Sequence, residues 1–521
     1  MNPLRQVKRA LENRRIARFE DAEKAASRAG NTETLPAGTG TVLLDPDALL
    51  RASEARREPL SVAIIIPSKD HPDYLSRCID ALFATIEPER DRLTCEIVVV
   101  DNGSNSKNQI IINEILNTGR QKETGITCRY LYREEPFHFG KMCNRGAAES
   151  ESDLLLFLND DTQALDSGWL AKMAACVLLP QTGAVGAKLL YPRAEGEDTA
   201  RIQHCGIVNT RCGPVHKLNR LPDRKGYFLE YNRGVHRVSA VTGACLMIRR
   251  AIFDEAGGFD EALPVSFNDV DLCFTLFEKG YTNLCCNEAR LLHFESVSRG
   301  DDGEDVKKMV RLQREYRTLI ARHPGMTGRD PFYPEGLTEG CDIAPEIRAE
   351  KEPLPFMLPY AVKQGVTGRL KRMRRDDCVR VGVEYAGPAE NWLGADEKRG
   401  AGERLREGDI FIRGYSFVTG ADNALYERKL IIERMEETGE GYVAGNAPPA
   451  VFPVHDVFRP EIVLNTPDQT HVAFAGFAAR IEKRALTPGV YRIGVIALKR
   501  YARQILFNYG QTILLVDEDD G

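Results

Sequence analysis

The sequence predicts an α/β domain built on a mostly parallel sheet, followed by an all-β sandwich. Three observations predict it. Between residues 59 and 323 short apolar runs alternate with apolar residues at helical spacing, the grammar of strands joined by crossover helices. Three of those runs stop abruptly at polar clusters, Ser68-Lys69-Asp70, Asp101-Asn102-Gly103-Ser104 and Asn159-Asp160-Asp161, and ligands of such sheets sit at the carboxyl ends of strands. After Asp376 the apolar period falls to two, with little helical signal.

Taken in order, residues 1–58 are charge-rich, and one amphipathic helix is expected, with Leu4, Val7 and Leu11 on one face and Arg5, Lys8, Arg9, Arg14 and Arg15 around it. A solvated helix packed on the next domain and a helix lying on anionic lipid both fit that pattern. From Pro59 the α/β texture begins. Val62–Ile66 reads as a buried strand, because five consecutive apolar residues leave no polar face. Tyr74, Leu75, Cys78, Ile79 and Leu82 then recur at helical spacing behind start signals at Asp70–Asp73. Ile97–Val100 is the next strand, ended by the turn pair Asn102-Gly103, and Leu154–Leu158 a third. A helix marked by Val306, Val310, Tyr316, Leu319 and Ile320 closes the domain at about residue 323. Residues 324–375, rich in Pro and Gly and carrying a basic run at 368–375, read as a linker. In 376–521, Val379, Val381, Val383 and Tyr385 alternate with polar or small residues, as do Ile410 and Ile412; further strands are expected at Leu430–Ile432, Val472–Phe477 and Tyr491–Ile496.

Composition bounds the class. A chain of 521 residues suits two to four domains, and 43% apolar with 28% charged residues excludes a disordered, collagenous or polytopic membrane protein. The net charge of −6 has the wrong sign for binding nucleic acid through the whole surface, so no nucleic-acid partner is expected. Thirteen irregularly spaced cysteines, with no C-x-x-C pair and none after Cys378, fit a reducing cytosol rather than a disulfide scaffold or zinc module. No run approaches about 18 apolar residues, and the basic amino terminus has no apolar core behind it, so neither a spanning helix nor a secretory signal is expected. The expected location is cytoplasmic, with peripheral contact at the inner face of the plasma membrane as an option.

Three constellations carry chemistry. In Asn159-Asp160-Asp161, adjacent carboxylates repel unless a cation or hydrogen-bond donors compensate, and hard cations such as Mg²⁺ or Mn²⁺ take oxygen ligands together with substrate phosphates. The competing reading is a turn followed by a helix capped at Asp166 or Ser167. In Phe267-Asn268-Asp269-Val270-Asp271-Leu272 one carboxylate is suited to act as a general base, whereas Asn268 capping a helix with Asp271 answering is the structural reading. In the third, His293 follows Leu291-Leu292 and is either a satisfied core residue or a metal ligand, and the segment Ser298–Asp302 after it suits a lid.

In this order, the segments SVAIIIPSKDHPDYLSRCIDAL, EIVVVDNGS, LLLFLNDDT, VTGACLMIRR, GGFDEALPVSFNDVDLCF and LLHFESVSRG resemble family 2 glycosyltransferases of the GT-A fold, especially soluble inverting members that build bacterial surface polysaccharides. The resemblance runs from about Pro59 to His323, half of the chain. It implies that Asp101 recognises the donor base and that Pro67 and Ser68 line the same nucleotide pocket. It implies that Asp161 is the metal-binding aspartate of a D-x-D motif with Asp160 beside it, that His293 is a further metal ligand, and that Asp269 is the catalytic base. Asn159 replaces the motif's first aspartate, which leaves ribose and metal contact both open for it, and Asn268 stands where many members have an acid. Lys141, in FGKMCNRGAAES, either reaches the nucleotide and its phosphates or is an ordinary solvated lysine.

The implied reaction is in-line displacement at the anomeric carbon of a nucleotide-diphosphate sugar, UDP-hexose or dTDP-rhamnose, by a hydroxyl of a glycan or polyprenyl-diphosphate-linked glycan. It would invert the anomeric centre, with Mn²⁺ or Mg²⁺ neutralising the departing diphosphate. A sugar-nucleotide pyrophosphorylase would instead open with a Gly-rich basic loop, and Ile66-Pro67-Ser68-Lys69-Asp70-His71 has no glycine. A non-catalytic glycan-binding or scaffold protein would not need Asp101, Asp161, Asp269 and His293 together. Processive synthases carry membrane helices and a Q-x-x-R-W motif, whereas Trp169 and Trp392, the only tryptophans, lack a preceding Arg. The terminal β-domain is expected to bind glycan, hold a partner transferase or form a homo-oligomer contact.

Overall fold

The computed structural model describes residues 41–42, 59–86, 93–333 and 354–517, apart from 119–120, 122–123, 180, 194–195, 225–230, 295–304, 327, 329, 366–372, 440, 460–461, 464–465, 467 and 501–503. The expected amphipathic helix near the amino terminus, the segment after Phe294 and most of the basic run lie outside the described residues.

Strand β1 (Leu60–Ser68) extends the expected Val62–Ile66 and is covered on both faces. Val62, Ile64 and Ile66 enter one apolar cluster and Ala63 and Ile65 the other, as alternation along a strand requires. Helix α1 (Pro72–Ile86) lays Leu75, Ile79, Leu82 and Phe83 on the first cluster. Strand β2 (Leu93–Asp101) pairs parallel with β1; helix α2 (Ser106–Leu116), capped by the Asn105 side chain, leads to β3 (Thr127–Tyr132), parallel to β2. Helix α3 (Phe139–Ala148) returns the chain to β4 (Leu154–Leu158), parallel to β1 on its other side. It lies close to the sheet because Gly146 has no side chain: a Cβ there would stand 2.4 Å from Ile65 Cγ2.

The chain continues through β5 (Thr162–Ala164), α4 (Trp169–Val177), β6 (Thr182–Leu190), β7 (Ile202–His204), β8 (Ile207–Thr210), β9 (Gly213–His216), β10 (Val235–Val238), β11 (Cys245–Arg249), α5 (Arg250–Ala256), α6 (Asn268–Glu278), β12 (Thr282–His293) and α7 (Val306–Arg322). The central sheet reads β10-β12-β6-β11-β4-β1-β2-β3, with the two-residue strand Thr41–Val42 beyond β10, β5 on β12 and β7 on β6. Its β3-β2-β1-β4 half is parallel, and β11 enters antiparallel between β4 and β6. The helix cap expected at Asp166 or Ser167 does not form. Residues after Asp161 make β5 instead, and α4 begins behind Gly168 at φ 83° with no side-chain cap.

Beyond the short strand Arg374–Arg375 come β13 (Val379–Pro388), α8 (Ala395–Ala401), β14 (Ile410–Val418), β15 (Tyr426–Glu437), β16 (Tyr442–Ala444), β17 (Ala450–Pro453), β18 (His455–Val457), β19 (Gly476–Ile481), β20 (Gly489–Lys499) and β21 (Ile505–Val516). One sheet runs β13-β14-β19-β18; the other runs β21-β20-β15-β16, with Arg374–Arg375 outside β21 and β17 on β15. Ile412 and Phe477 of the first sheet and Ile432 and Ile493 of the second share one core, which defines a sandwich. The strand expected at Val472–Phe477 starts only at Gly476, and the helix α8 was not expected. Among the described residues no helix is long and apolar enough to cross a membrane.

Candidate active site

The parallel strands β1, β2 and β4 bring their carboxyl ends together. Ser68 and Asp101 are register partners, as are the buried Pro67 and Val100 before them. Ser68 Oγ donates to Asp160 Oδ2 at 2.6 Å, which ties the end of β1 to the turn after β4. Burial pushes the Asp160 carboxyl up to about 7, against the pull of that hydrogen bond. Asp101 is fully buried; its Oδ1 accepts from the Ser104 N–H at 2.8 Å and its Oδ2 from the Tyr130 hydroxyl. Beside it, the buried Asn102 Oδ1 has no hydrogen-bond partner.

The β5–β12 pairing sets His293 against Thr162, and the Phe294 N–H donates to the Asp161 carbonyl at 3.0 Å. His293 Nε2 therefore stands 3.0 Å from Asp161 Oδ1 and 3.3 Å from Asn159 Nδ2, while its Nδ1 lies 2.7 Å from Gln203 Oε1 on β7. With Gln203 accepting, the Nδ1–H is held and the ring is oriented so that Nε2 faces Asp161 and Asn159. Asp161 Oδ1 is buried and makes no hydrogen bond. Two potential ligand atoms thus face each other at 3.0 Å. A hard cation fits that donor set: bonds of roughly 2.0–2.1 Å at right angles separate neighbouring ligands by roughly 3 Å. Among the described residues no cluster of three or more His, Cys, Asp or Glu converges as a metal site, so a cation here would complete its shell with water or a ligand's phosphates.

Asp269 lies in the first turn of α6, half-buried. Its Oδ2 accepts from the Gly243 N–H at 2.7 Å and its Oδ1 from the Val270 N–H at 2.9 Å. Gly243 permits that approach, since a Cβ there would stand 3.1 Å from Phe139 Cε1. Its neighbour Ala244 accepts from the Asn159 N–H at 3.0 Å, so one short turn links the Asp269 carboxylate to the Asn159–Asp161 turn. The structural reading of this segment fails on geometry: the cap position is Phe267, at φ 61°, and Asn268 is already helical. Asp271 is buried against Arg322 Nε at 2.8 Å and His323 Nε2 at 3.0 Å, which makes it an anchor of α6 rather than an alternative base. Lys141 is separate from these groups; its ammonium pairs with Glu261 at 3.6 Å on a partly exposed face. Gln203, Tyr130 and Gly243 escaped the sequence reading, because nothing in their spacing marks a residue that acts by orienting another.

Residues 63–257 match the family described as Glycosyl transferase family 2. Over residues 63–257 the chain carries a family 2 glycosyltransferase domain, and the sheet has the GT-A architecture. The chain is 34% identical over 282 residues to the uncharacterized protein y4gI of Sinorhizobium fredii, covering 53% of this chain and 29% of that one. It is 31% identical over 327 residues to the O-antigen biosynthesis protein RfbC of Myxococcus xanthus, covering 62% and 24%. It is 27% identical over 213 residues to the N-acetylglucosaminyl-diphospho-decaprenol L-rhamnosyltransferase of Mycobacterium tuberculosis, covering 40% and 68%. The chain thus spans less than a third of the length of the first two relatives.

Proposed function

We propose that this chain is an inverting glycosyltransferase of surface-polysaccharide synthesis, moving a hexose or rhamnose from a nucleotide-diphosphate donor to a hydroxyl of a lipid-linked glycan. The observation that carries the reading is the Asp161 Oδ1–His293 Nε2 pair, 3.0 Å apart, one turn away from a carboxylate held by the Gly243 N–H. Asp161 and His293 would hold Mn²⁺ or Mg²⁺, which when bound supplies positive charge to the departing diphosphate. Asp101, Pro67 and Ser68 would line the base side of the donor pocket, and Asp160, tied to Ser68, would border its phosphate side. Asn159 reaches His293 and is thereby a positioning residue of the same group, with Lys141 a more remote contributor of positive charge. Asp269 takes the proton from the acceptor hydroxyl as that oxygen attacks the anomeric carbon, and two backbone N–H donors keep its carboxylate aimed.

The acceptor class, a glycan on a polyprenyl diphosphate, follows the name of the M. tuberculosis relative, and a cytoplasmic site at the inner membrane face follows from such an acceptor. We divide the chain accordingly into an extension at 1–58, a transferase unit at 59–323, a connection at 324–375 and an accessory unit at 376–521. The test is a panel of UDP- and dTDP-sugars presented to the purified chain with Mn²⁺, reading release of free nucleotide diphosphate. Release from one donor, abolished by excess chelator, supports the proposal; full activity in chelator, or no release from any donor, overturns it.

A further inference from the structure

A cavity of about 360 Å³ opens between the two sheets of the sandwich, remote in sequence from every group discussed above. Its wall combines three features. Phe474 leaves 58% of its surface exposed, its ring centroid 5.2 Å from that of Phe458, so an aromatic face is held at the mouth. Ser416, only 2% exposed, turns into the wall a hydroxyl that has no hydrogen-bond partner. Arg428, fixed by the Ser416 carbonyl at 3.2 Å, makes a single-contact ion pair with the largely exposed Asp456 at 2.6 Å.

A buried hydroxyl left unpaired costs roughly 1–3 kcal/mol, so its retention calls for a partner. The charges around it pair off, Arg428 with Asp456 and His471 with Asp422 at 2.8 Å, leaving Arg500 at the rim as the one unbalanced charge of the wall among the described residues. His471 also holds φ 55°, a left-handed conformation uncommon outside glycine and often found where a site needs it. An anion would find only Arg500 unpaired and would meet the exposed Asp456 carboxylate, and an apolar ligand would leave Ser416 and Asp456 unanswered. A polyol with one apolar face satisfies all three features: carbon-bound hydrogens against Phe474, hydroxyls to Ser416 Oγ and the free Asp456 oxygen.

We propose that this cavity is a sugar-binding subsite, which takes one pyranose residue of a neutral glycan and is distinct from the donor site. The sandwich would then hold the glycan chain while the α/β domain acts on its end.

The test uses the full chain without nucleotide or metal, and saturation-transfer NMR with methyl α-L-rhamnopyranoside, methyl α-D-mannopyranoside and methyl β-D-glucopyranoside. Ring-proton saturation is expected for at least one glycoside. It should weaken about tenfold in Phe474→Ala and Asp456→Ala, and persist in Asp161→Asn, which alters only the transferase site. Ser416→Ala guards against misfolding as an explanation: removing an unpaired buried hydroxyl should leave the thermal midpoint unchanged or higher while weakening the saturation signal. No saturation from any of the three glycosides, signals insensitive to these sandwich variants, or signals lost in Asp161→Asn each overturn the proposal.

Discussion

Replacing Asp269 by Asn separates chemistry from architecture at a single residue. General-base catalysis is worth about 10²–10⁴ in rate, so the variant should lose that much transfer while its UDP affinity stays within a few fold. The carboxylate accepts two backbone N–H bonds, from Gly243 and Val270, and an amide oxygen replaces one acceptor, so a stability loss of about 1 kcal/mol should accompany the change. Transfer at more than a tenth of the wild-type rate would remove the base from Asp269. Gln203 offers a second test. Gln203→Leu should weaken Mn²⁺ binding in the presence of UDP by about 10–100-fold, read by electron paramagnetic resonance, and Gln203→Glu, which keeps an acceptor for His293 Nδ1–H, should restore it. Equal affinities in all three proteins would show that the ring needs no such partner. The sequence singled out Asp161 and His293 because each stands in a polar segment that follows an apolar run, a place where a polar residue needs a reason. It did not single out Gln203, which lies in a three-residue strand and whose task is defined by a histidine 90 positions away.

At the scale of elements, α6 and α7 are locked by His323, whose Nε2 lies 3.0 Å from Asp271 and whose Nδ1 lies 3.0 Å from Glu278. Burial alone would lower its pKa, but the two carboxylates outweigh it and the net shift is upward from 6.5. A histidine whose folded pKa exceeds its unfolded one adds stability that is fully present below pH 6.5 and is lost as pH rises through the folded value. The stability difference between wild type and His323→Gln, from urea melts, should therefore shrink on going from pH 6 to pH 9. A difference that is constant with pH would mean that the imidazole is neutral throughout. The helices themselves were readable from apolar spacing, α7 most plainly. Strand placement was poorer where the pattern was locally ambiguous. Val472 is buried but belongs to a small side cluster rather than to β19, and β21 hides its strand pattern behind Asn508, Gly510 and Gln511. In such stretches cross-strand neighbours, absent from a local reading, decide the outcome.

At the scale of the whole molecule, α7 has two apolar jobs, and sequence spacing exposed only one. Leu319 faces the α/β core, but Met309 and Val310 pack on Ile513 of β21, which is fully buried, and Arg317 adds bonds to Asp517 and the Leu515 carbonyl. On the β8–β9 side, Arg211 makes a two-pronged pair with Glu397 of α8 at 2.8 and 2.9 Å. The periodicity of α7 marks an apolar stripe but carries no information about which partner, 200 residues downstream, covers part of it. The seam matters because Glu315 of the same helix accepts from the Val265 and Ser266 N–H groups, at 3.3 and 2.5 Å, just before the turn that starts α6 and carries Asp269. Ile513→Ala should then cost about 2–5 kcal/mol in a urea melt of the full chain, the range for a deep aliphatic truncation. It should also lower the transfer rate while leaving UDP–Mn²⁺ affinity unchanged, because Ser68, Asp101 and Asp161 follow sheet strands that the seam does not touch. A stability loss without a rate change would confine the seam to holding the sandwich in place. Parallel losses of rate and nucleotide affinity would show that α7 supports the whole α/β domain rather than the acceptor side alone.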